Sequence, residues 1–597
     1  MKNALTTLFV SAALLMLSGV LVTPAQTAQQ SALFKESTAK ASLRQRYEIQ
    51  LKLDFDERTY TGSERVRWIN RGDHATSVLY FHLYSNVRSD LPAPSAFADS
   101  QTPETEEPRV EILGVHAAID GAPLNYSLEQ DTTLRVNLRD QVTPGQAIEI
   151  VIGFKGRVPE VDPDQTGLTT HVVKQISAAL LGDREMRRAR DLNFRCRGVM
   201  LLGTFYPVLA VHDGDDWVRR LEPSVGDMIF NEVADYEVRI AVPHGISVFT
   251  SAGVDATKSD NPGFSVFAAP ALRDFAIIAG RNLRSEQRQV GATTLRSIFI
   301  PEHERVGQRV LSMAEDSVKV FTSKFGPLPF RTINIAEAPL VAGVGSTEFA
   351  GMQVIASAFY MDFDSPAVRN LPEIIREQRP SVEESLEWSV AHLIAHQWWG
   401  AAVGNDPARE PVLDEAMASW SALLYFQEIY GDQKAASVLE DQLQGVYRLY
   451  RTLGGEDMNA NRPSRDYRNT FQYAAVVTTK GTLMLVQLQR LLGREKLLAA
   501  FRNYFQSNLL EIAELEDLRG AVIAEASVEQ RRAIGRVFNR WLASKRGDDD
   551  IAKPDQELAT SLGLPGKANQ QGGGGRNALK PFARVGKFFW QQITRIR

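Results

Sequence analysis

Two imidazoles one helical turn apart, followed by a carboxylate, can hold a divalent metal, and this chain carries such a set at His392, His396 and Glu415. Within Ala391-His392-Leu393-Ile394-Ala395-His396-Gln397-Trp398-Trp399-Gly400 the histidines stand at i and i+4, so on a helix they share a face. A tetrahedral catalytic site needs a third protein ligand and an open fourth position. Glu415, at the start of the next expected helix, supplies a carboxylate oxygen. Two inward-facing core histidines, with a glutamate favouring a helix N-terminus, give the same residues without any metal. The surrounding chain has to decide between these readings.

The elements that must position the set are legible in the hydrophobic period. From Tyr47 the residues Ile49, Leu51, Leu53 and Phe55 alternate with polar neighbours. Ile148 to Phe154 and Tyr236 to Val242 repeat that pattern, so residues 40–285 read as a β-rich domain. Pro92 to Pro108 reads as a surface loop within it. After about residue 300 the period becomes helical, first over Val306 to Phe325 with a stop at Gly326-Pro327. Ser381 and Glu384 have capping-box spacing, and the helix they open runs through both histidines to Gly400. A further helix spans about Asp414 to Gly431, and long ones follow at about 434–450, 471–492 and 495–507.

With that context the sequence resembles the membrane alanyl aminopeptidase (aminopeptidase N-type, gluzincin) family of metallopeptidases. Their zinc site reads H-E-x-x-H, then eighteen residues, then a glutamate in N-E-G. Here the spacing from His396 to Glu415 is the same, and Asp414-Glu415-Ala416 stands in for N-E-G. Leu202 to Pro207, Ala234 to Val238, Arg273-Asp274-Phe275-Ala276 and Phe325-Gly326-Pro327 extend the likeness over about residues 45–545. The resemblance implies zinc held by His392, His396 and Glu415. It also implies an α+β multidomain fold, with an N-terminal β-saddle domain on a thermolysin-like, mainly helical zinc metallopeptidase domain.

Three departures bear on activity. The glutamate of H-E-x-x-H, the family's general base, is Leu393, which cannot carry a proton. The family's oxyanion tyrosine before a K-G pair is Thr478, ahead of Lys480-Gly481. Tyr473, five positions earlier, stands about 140° away round an α-helix and reads as a poor substitute. The loop that reads G-x-M-E-N or G-G-M-E-Y-P in the family and recognises the substrate amine is here Gly345-Ser346-Thr347-Glu348-Phe349-Ala350, which keeps Glu348. The resemblance therefore implies peptides or protein N-termini as partners, held by a zinc-bearing cleft whose hydrolysis is lost or strongly reduced. The alternative is an active zinc metalloaminopeptidase with atypical proton transfer, favoured by the complete ligand set.

The whole chain bounds these readings. Its 597 residues exceed what one core organises. With 67 basic against 72 acidic residues, a formal charge of -5, it offers no bulk attraction for nucleic acid. Residues 1–28, with Lys2, an apolar run from Leu8 to Val22 and Thr23-Pro24-Ala25, read as a signal peptide or membrane anchor, which puts the protein in the periplasm, outside the cell or on a membrane. Cys196 is the single cysteine, so no internal disulfide forms, and it reads as a small buried hydrophobe. The expected organisation continues with the catalytic-type domain over 286–545, a flexible linker over 546–579 and a basic amphipathic segment over 580–597. In that last segment Phe582, Val585, Phe589, Ile593 and Ile596 share a face and Arg584, Lys587, Arg595 and Arg597 suit a membrane surface.

Overall fold

The computed structural model describes residues 44–88, 106–181, 184–214, 216–254, 263–370, 373–377 and 379–561. The expected leader over 1–28, most of the loop over 92–108, the later part of the linker and the basic segment over 580–597 lie outside them. No described helix is long and apolar enough to cross a membrane.

The alternating residues of the first half build sheets. Gln45–Asp54 buries every second side chain and lies at the centre of a seven-stranded sheet, parallel to Ala234–Ala241 on one side and antiparallel to Thr59–Ile69 on the other. Two four-stranded sheets and a two-stranded ribbon, His212–Asp213 with Asp216–Trp217, complete this part. One of the sheets is centred on Thr76–His82 and Thr133–Val142. The other has Val199–Leu202 and Ile277–Gly280 at its centre and ends at Asn193–Cys196. Cys196 is buried there, and that burial pushes its thiol up to about 11, which keeps it an inert hydrophobe.

From Arg284 a five-stranded mixed sheet begins, in the order Arg284–Val290, Thr293–Phe299, Thr332–Ala338, Met352–Ala356, Ser346–Phe349. Thr293–Phe299 and Thr332–Ala338 are parallel, and the crossover between them is the helix Glu304–Phe325. Its Val306, Val310, Leu311, Ala314, Val318, Phe321 and Phe325 share one helix face and are all buried. Gly307 lets that helix approach the sheet, since a Cβ there would stand 2.2 Å from Phe299. Gly326, at φ 114°, ends it.

The histidine helix spans Arg379–Ala395 and the glutamate helix Val412–Tyr430. The first runs through Ser381, so Ser381 and Glu384 do not cap its start. Glu384 instead pairs with Lys434. Two of the long helices expected downstream are each interrupted by one π-turn, over Glu440–Gln444 and Ala474–Thr478. Order also continues past 545. Residues 546–561, expected as linker, carry the short helices Gly547–Asp550 and Gln556–Ser561, with Asp548 paired to Arg451 and Asp550 to Arg540. Ion pairing gives this acidic run partners that its composition does not reveal.

Nearly all the buried apolar residues of both halves form one continuous cluster, with Phe363, Val368 and Val382 in a small separate one. At their seam the fully buried Arg273 donates to three backbone carbonyls, Ala401 (2.9 Å), Asn231 (3.2 Å) and Glu511 (2.6 Å). Gly404 makes room for it, because a Cβ there would meet the guanidinium at 2.3 Å.

Candidate metal centre and acidic cleft

The histidine helix and the glutamate helix pack together so that their ligating atoms converge. His392, His396 and Glu415 offer atoms that all lie within 4.8 Å of one another, the one such group found among the described residues. The Nε2 atoms of the two histidines are 3.1 Å apart, and His392 Nε2 is 3.6 Å from Glu415 Oε2. Two ligands at tetrahedral angles with metal bonds of about 2.0–2.1 Å stand about 3.3 Å apart, so the spacing suits one small cation.

Ring orientation points the same way. His396 Nδ1 donates to the Trp399 carbonyl at 3.0 Å, which leaves the Nε2 of the neutral ring as a lone pair. His392 Nδ1 lies 3.2 Å from Ser419 Oγ, one turn beyond Glu415 on the glutamate helix, and Trp388 stacks on the other side of the ring. Each imidazole thus has a partner at Nδ1 that turns Nε2 toward the same point. The donor set, two neutral imidazoles and a carboxylate, fits zinc with one position open.

Glu348 sits on the edge strand Ser346–Phe349 and reaches this centre through Gln397, the residue after the second histidine. The Gln397 side chain accepts from Gly351 N at 2.8 Å and donates to Phe349 O at 3.1 Å, clamping the hairpin turn to the end of the histidine helix. Asp274 holds the same turn from the β-rich part, accepting from Ala350 N at 2.9 Å. Gly203 allows Phe349 to pack close, since a Cβ there would lie 2.6 Å from that ring. Glu348, Asp227, Asp274, His396 and Asp414 line a cavity of about 50 Å³.

The cleft is strongly acidic. Burial pushes Asp227, Asp274, Asp414 and Glu415 well above the usual carboxylate range, and charges in the group add to it, Glu348 among them in each case. Burial lowers His396, but Glu348, Glu415 and Asp414 together hold it above its ordinary value. A divalent cation or an ammonium group placed here relieves that repulsion.

This charge pattern sets a pH dependence. Folded Asp274 keeps its proton up to about pH 7, whereas an unfolded aspartate releases it near about 3.9. Between those values the folded state binds more protons, so stability is greatest at the acid end and falls as pH rises through 7. Chelator-treated protein is expected to melt lower at pH 8 than at pH 5.5, with a smaller fall in Asp274→Asn, which keeps the acceptor for Ala350. Equal falls in the two proteins would remove Asp274 from the account.

The other two positions differ from the histidines in what they bring. Leu393 is buried on the histidine helix between the two ligands and offers no acceptor. Thr478 is half-buried, its carbonyl accepts from the Thr482 hydroxyl, and it does not line the cavity. Tyr473 departs from expectation. The π-turn Ala474–Thr478, in which Thr479 N–H reaches back to Ala474 O, replaces the α-helical register on which the 140° offset rested. Gln397, Ser419, Asp227 and Asp274 had no assigned role in the sequence reading. Of these, Asp274 lay inside a motif already noted and Gln397 beside a ligand.

Residues 374–541 match the peptidase family M1 domain. That segment holds His392, Leu393, His396, Glu415, Tyr473 and Thr478, while Asp227, Asp274 and Glu348 precede it. The mouse aminopeptidase RNPEPL1 is 28% identical over 203 residues, which cover 31% of this chain and 27% of that protein. Aminopeptidase N of Lactobacillus helveticus is 27% identical over 163 residues, covering 26% of this chain and 18% of that one. The alignments thus span about a quarter or less of those relatives' length. Among solved structures, an M1 zinc metallopeptidase from Deinococcus radiodurans superposes with a TM-score of 0.55 at 15% identity, covering 86% of this chain and 96% of that one. A mutant of such an enzyme bound to a Tyr-Ser-Ala substrate superposes at 0.52 and 16% identity, covering 83% and 93%. The domain match and the two relatives support the M1 family over that segment, and the solved structures share a multidomain fold of a β-rich part followed by a helical part.

Proposed function

We propose that the cleft binds one zinc ion through His392, His396 and Glu415. It takes the free amino end of a peptide or protein beside Glu348, with hydrolysis strongly reduced because position 393 is leucine. The observation that carries this reading is the pair of Nε2 atoms 3.1 Å apart, with partners at both Nδ1 atoms and Glu415 alongside. When bound, zinc polarises a carbonyl oxygen and lowers the pKa of a bound water to about 7. The chain's own side chains supply the rest. Glu348 and Asp227 offer anionic partners to an ammonium group, and Gln397 fixes how far Glu348 stands from the histidines. Nothing at position 393 takes a proton from water or passes one to a leaving amine. Peptide as the ligand class is supported by the Tyr-Ser-Ala substrate of the structural relative. On this reading the β-rich part is the family's saddle domain and the helical part its thermolysin-like domain.

Purified protein is expected to carry about one zinc per chain, and His396→Ala to carry essentially none. Zinc at about 100 times its dissociation constant stabilises the fold by about 2.7 kcal/mol, so chelation lowers the melting temperature of the natural chain and leaves the variant unmoved. Metal analysis alongside thermal melts reads both quantities. Zinc uptake that survives His396→Ala is incompatible with the proposed site.

A second reading, an active zinc metalloaminopeptidase with atypical proton transfer, is favoured by the full orientation of the ligands through Trp399 and Ser419. Aminoacyl fluorogenic substrates assayed with and without chelator separate the two. Chelator-sensitive turnover at ordinary aminopeptidase rates selects the second reading, and background turnover selects the first.

A further inference from the structure

The family's oxyanion donor is missing at position 478, yet the fold seats another hydroxyl, that of Tyr473, against Gly226, the residue before Asp227 of the cavity lining. A π-turn advances the chain by five residues in about one full turn, so Tyr473 and Thr478 lie on nearly the same face, where an α-helix would separate them by about 140°. From Thr478 the α-helix Thr479–Leu492 takes three residues to reach Gly481. Gly481 faces the glutamate helix closely, since a Cβ on it would lie 2.8 Å from both Ala416 Cβ and Val412 Cγ2. Adding the two steps puts Tyr473 within about 10° to 60° of that face, which is turned toward the glutamate helix.

A second contact fixes the other end of the ring. Gly226, next to Asp227 of the cavity wall, has no Cβ, and one built there would lie 2.7 Å from the Tyr473 hydroxyl. The Tyr467 ring supports the phenol edge-on at 5.7 Å between centroids. The phenol is buried. Burial, followed by the charges of Glu415 and Asp414, raises its ionisation well above the ordinary range. It therefore stays a donor throughout the working range of pH.

We propose that the Tyr473 hydroxyl, turned toward the glutamate helix by the π-turn Ala474–Thr478 and seated over Gly226, donates the hydrogen bond to the carbonyl oxygen of a bound peptide. This inference rests on the cleft being a metal- and amine-binding site and gives it a specific preference. The oxygen gains charge as the carbonyl carbon becomes tetrahedral, so the donor favours tetrahedral ligands over planar ones.

Calorimetric titration of the zinc-loaded protein with a phosphinic pseudodipeptide, which is tetrahedral, and with the planar dipeptide of the same side chains tests it. Tyr473→Phe is expected to weaken the phosphinic ligand by about 10²-fold and the planar dipeptide by less than about tenfold. Gly226→Ala, whose new methyl group displaces the hydroxyl, is expected to reproduce that pattern. Thr478→Ala is expected to change neither affinity. Phosphinic binding that is unchanged in Tyr473→Phe, or weakened in Thr478→Ala instead, overturns the inference while leaving the cleft reading intact. Equal losses for both ligands mark general damage to the cleft and also overturn it. A natural chain that loads zinc but binds neither ligand overturns the cleft reading and the inference with it.

Discussion

Leu393→Glu is expected to raise aminoacyl-peptide hydrolysis by the zinc-loaded protein about 10²–10⁴-fold above its background. The substitution places a carboxylate between the two ligands on one helix, within reach of the proton on an attacking water and of the leaving amine. It also buries a charge where a leucine packs, so some stability is lost even beside the cationic centre. If Tyr473 already serves the developing oxyanion, adding Thr478→Tyr brings less than about tenfold more. Steady-state kinetics on the single and double variants, with zinc content measured in each, decides the matter. No gain from Leu393→Glu at full zinc occupancy would remove the missing base as the cause of low activity. A gain that appears only in the double variant would move the donor back to position 478.

Arg273→Met is expected to cost about 2–4 kcal/mol, because methionine keeps the length of the side chain and none of its donors. The guanidinium serves Ala401, Asn231 and Glu511 at once, and these carbonyls come from the loop after the histidine helix, the β-rich part and the segment beyond Tyr504. Glu511 O keeps one bond, from Gly404 N, so the loss falls mainly on the other two acceptors. Burial lowers the Arg273 guanidinium to about 10, and release of that penalty offsets part of the cost. The denaturation midpoint reads the effect, and a shift no larger than that of an exposed arginine substitution would show that the seam does not depend on it. Asp274 follows directly in the chain, so loosening this seam also shifts the turn beneath Glu348.

How much of this could be read in advance depended on the range of the interactions concerned. The alternation from Tyr47 to Phe55 is a local pattern and marks a strand with one buried face. The histidine pair needs only a helix to share a face, and the helix is there. Glu348 was legible by its place in a family-like loop, but the reason it stands near the histidines is the Gln397 side chain, whose partners lie 46 and 48 residues away. Asp227 enters the cleft from the β-rich part, across a separation that no periodicity crosses. The 140° offset assigned to Tyr473 does not hold, for a physical reason. A helical wheel assumes one uniform pitch, and the single π-turn after Tyr473 changes that pitch without a glycine or proline to mark it. The same blind spot hid the π-turn at Glu440–Gln444.

The amide of Gln397 has a consequence for what the cleft can measure. It ties the acid that would meet a substrate's amine to the residue adjoining a metal ligand, so the gap between amine and metal is set within one rigid corner rather than by how far the two halves of the protein open. Such a corner acts as a ruler with one division. Under the proposed function it would read the distance from an amino terminus to the first carbonyl, which is common to every peptide, and leave the identity of the side chains to the walls on either side.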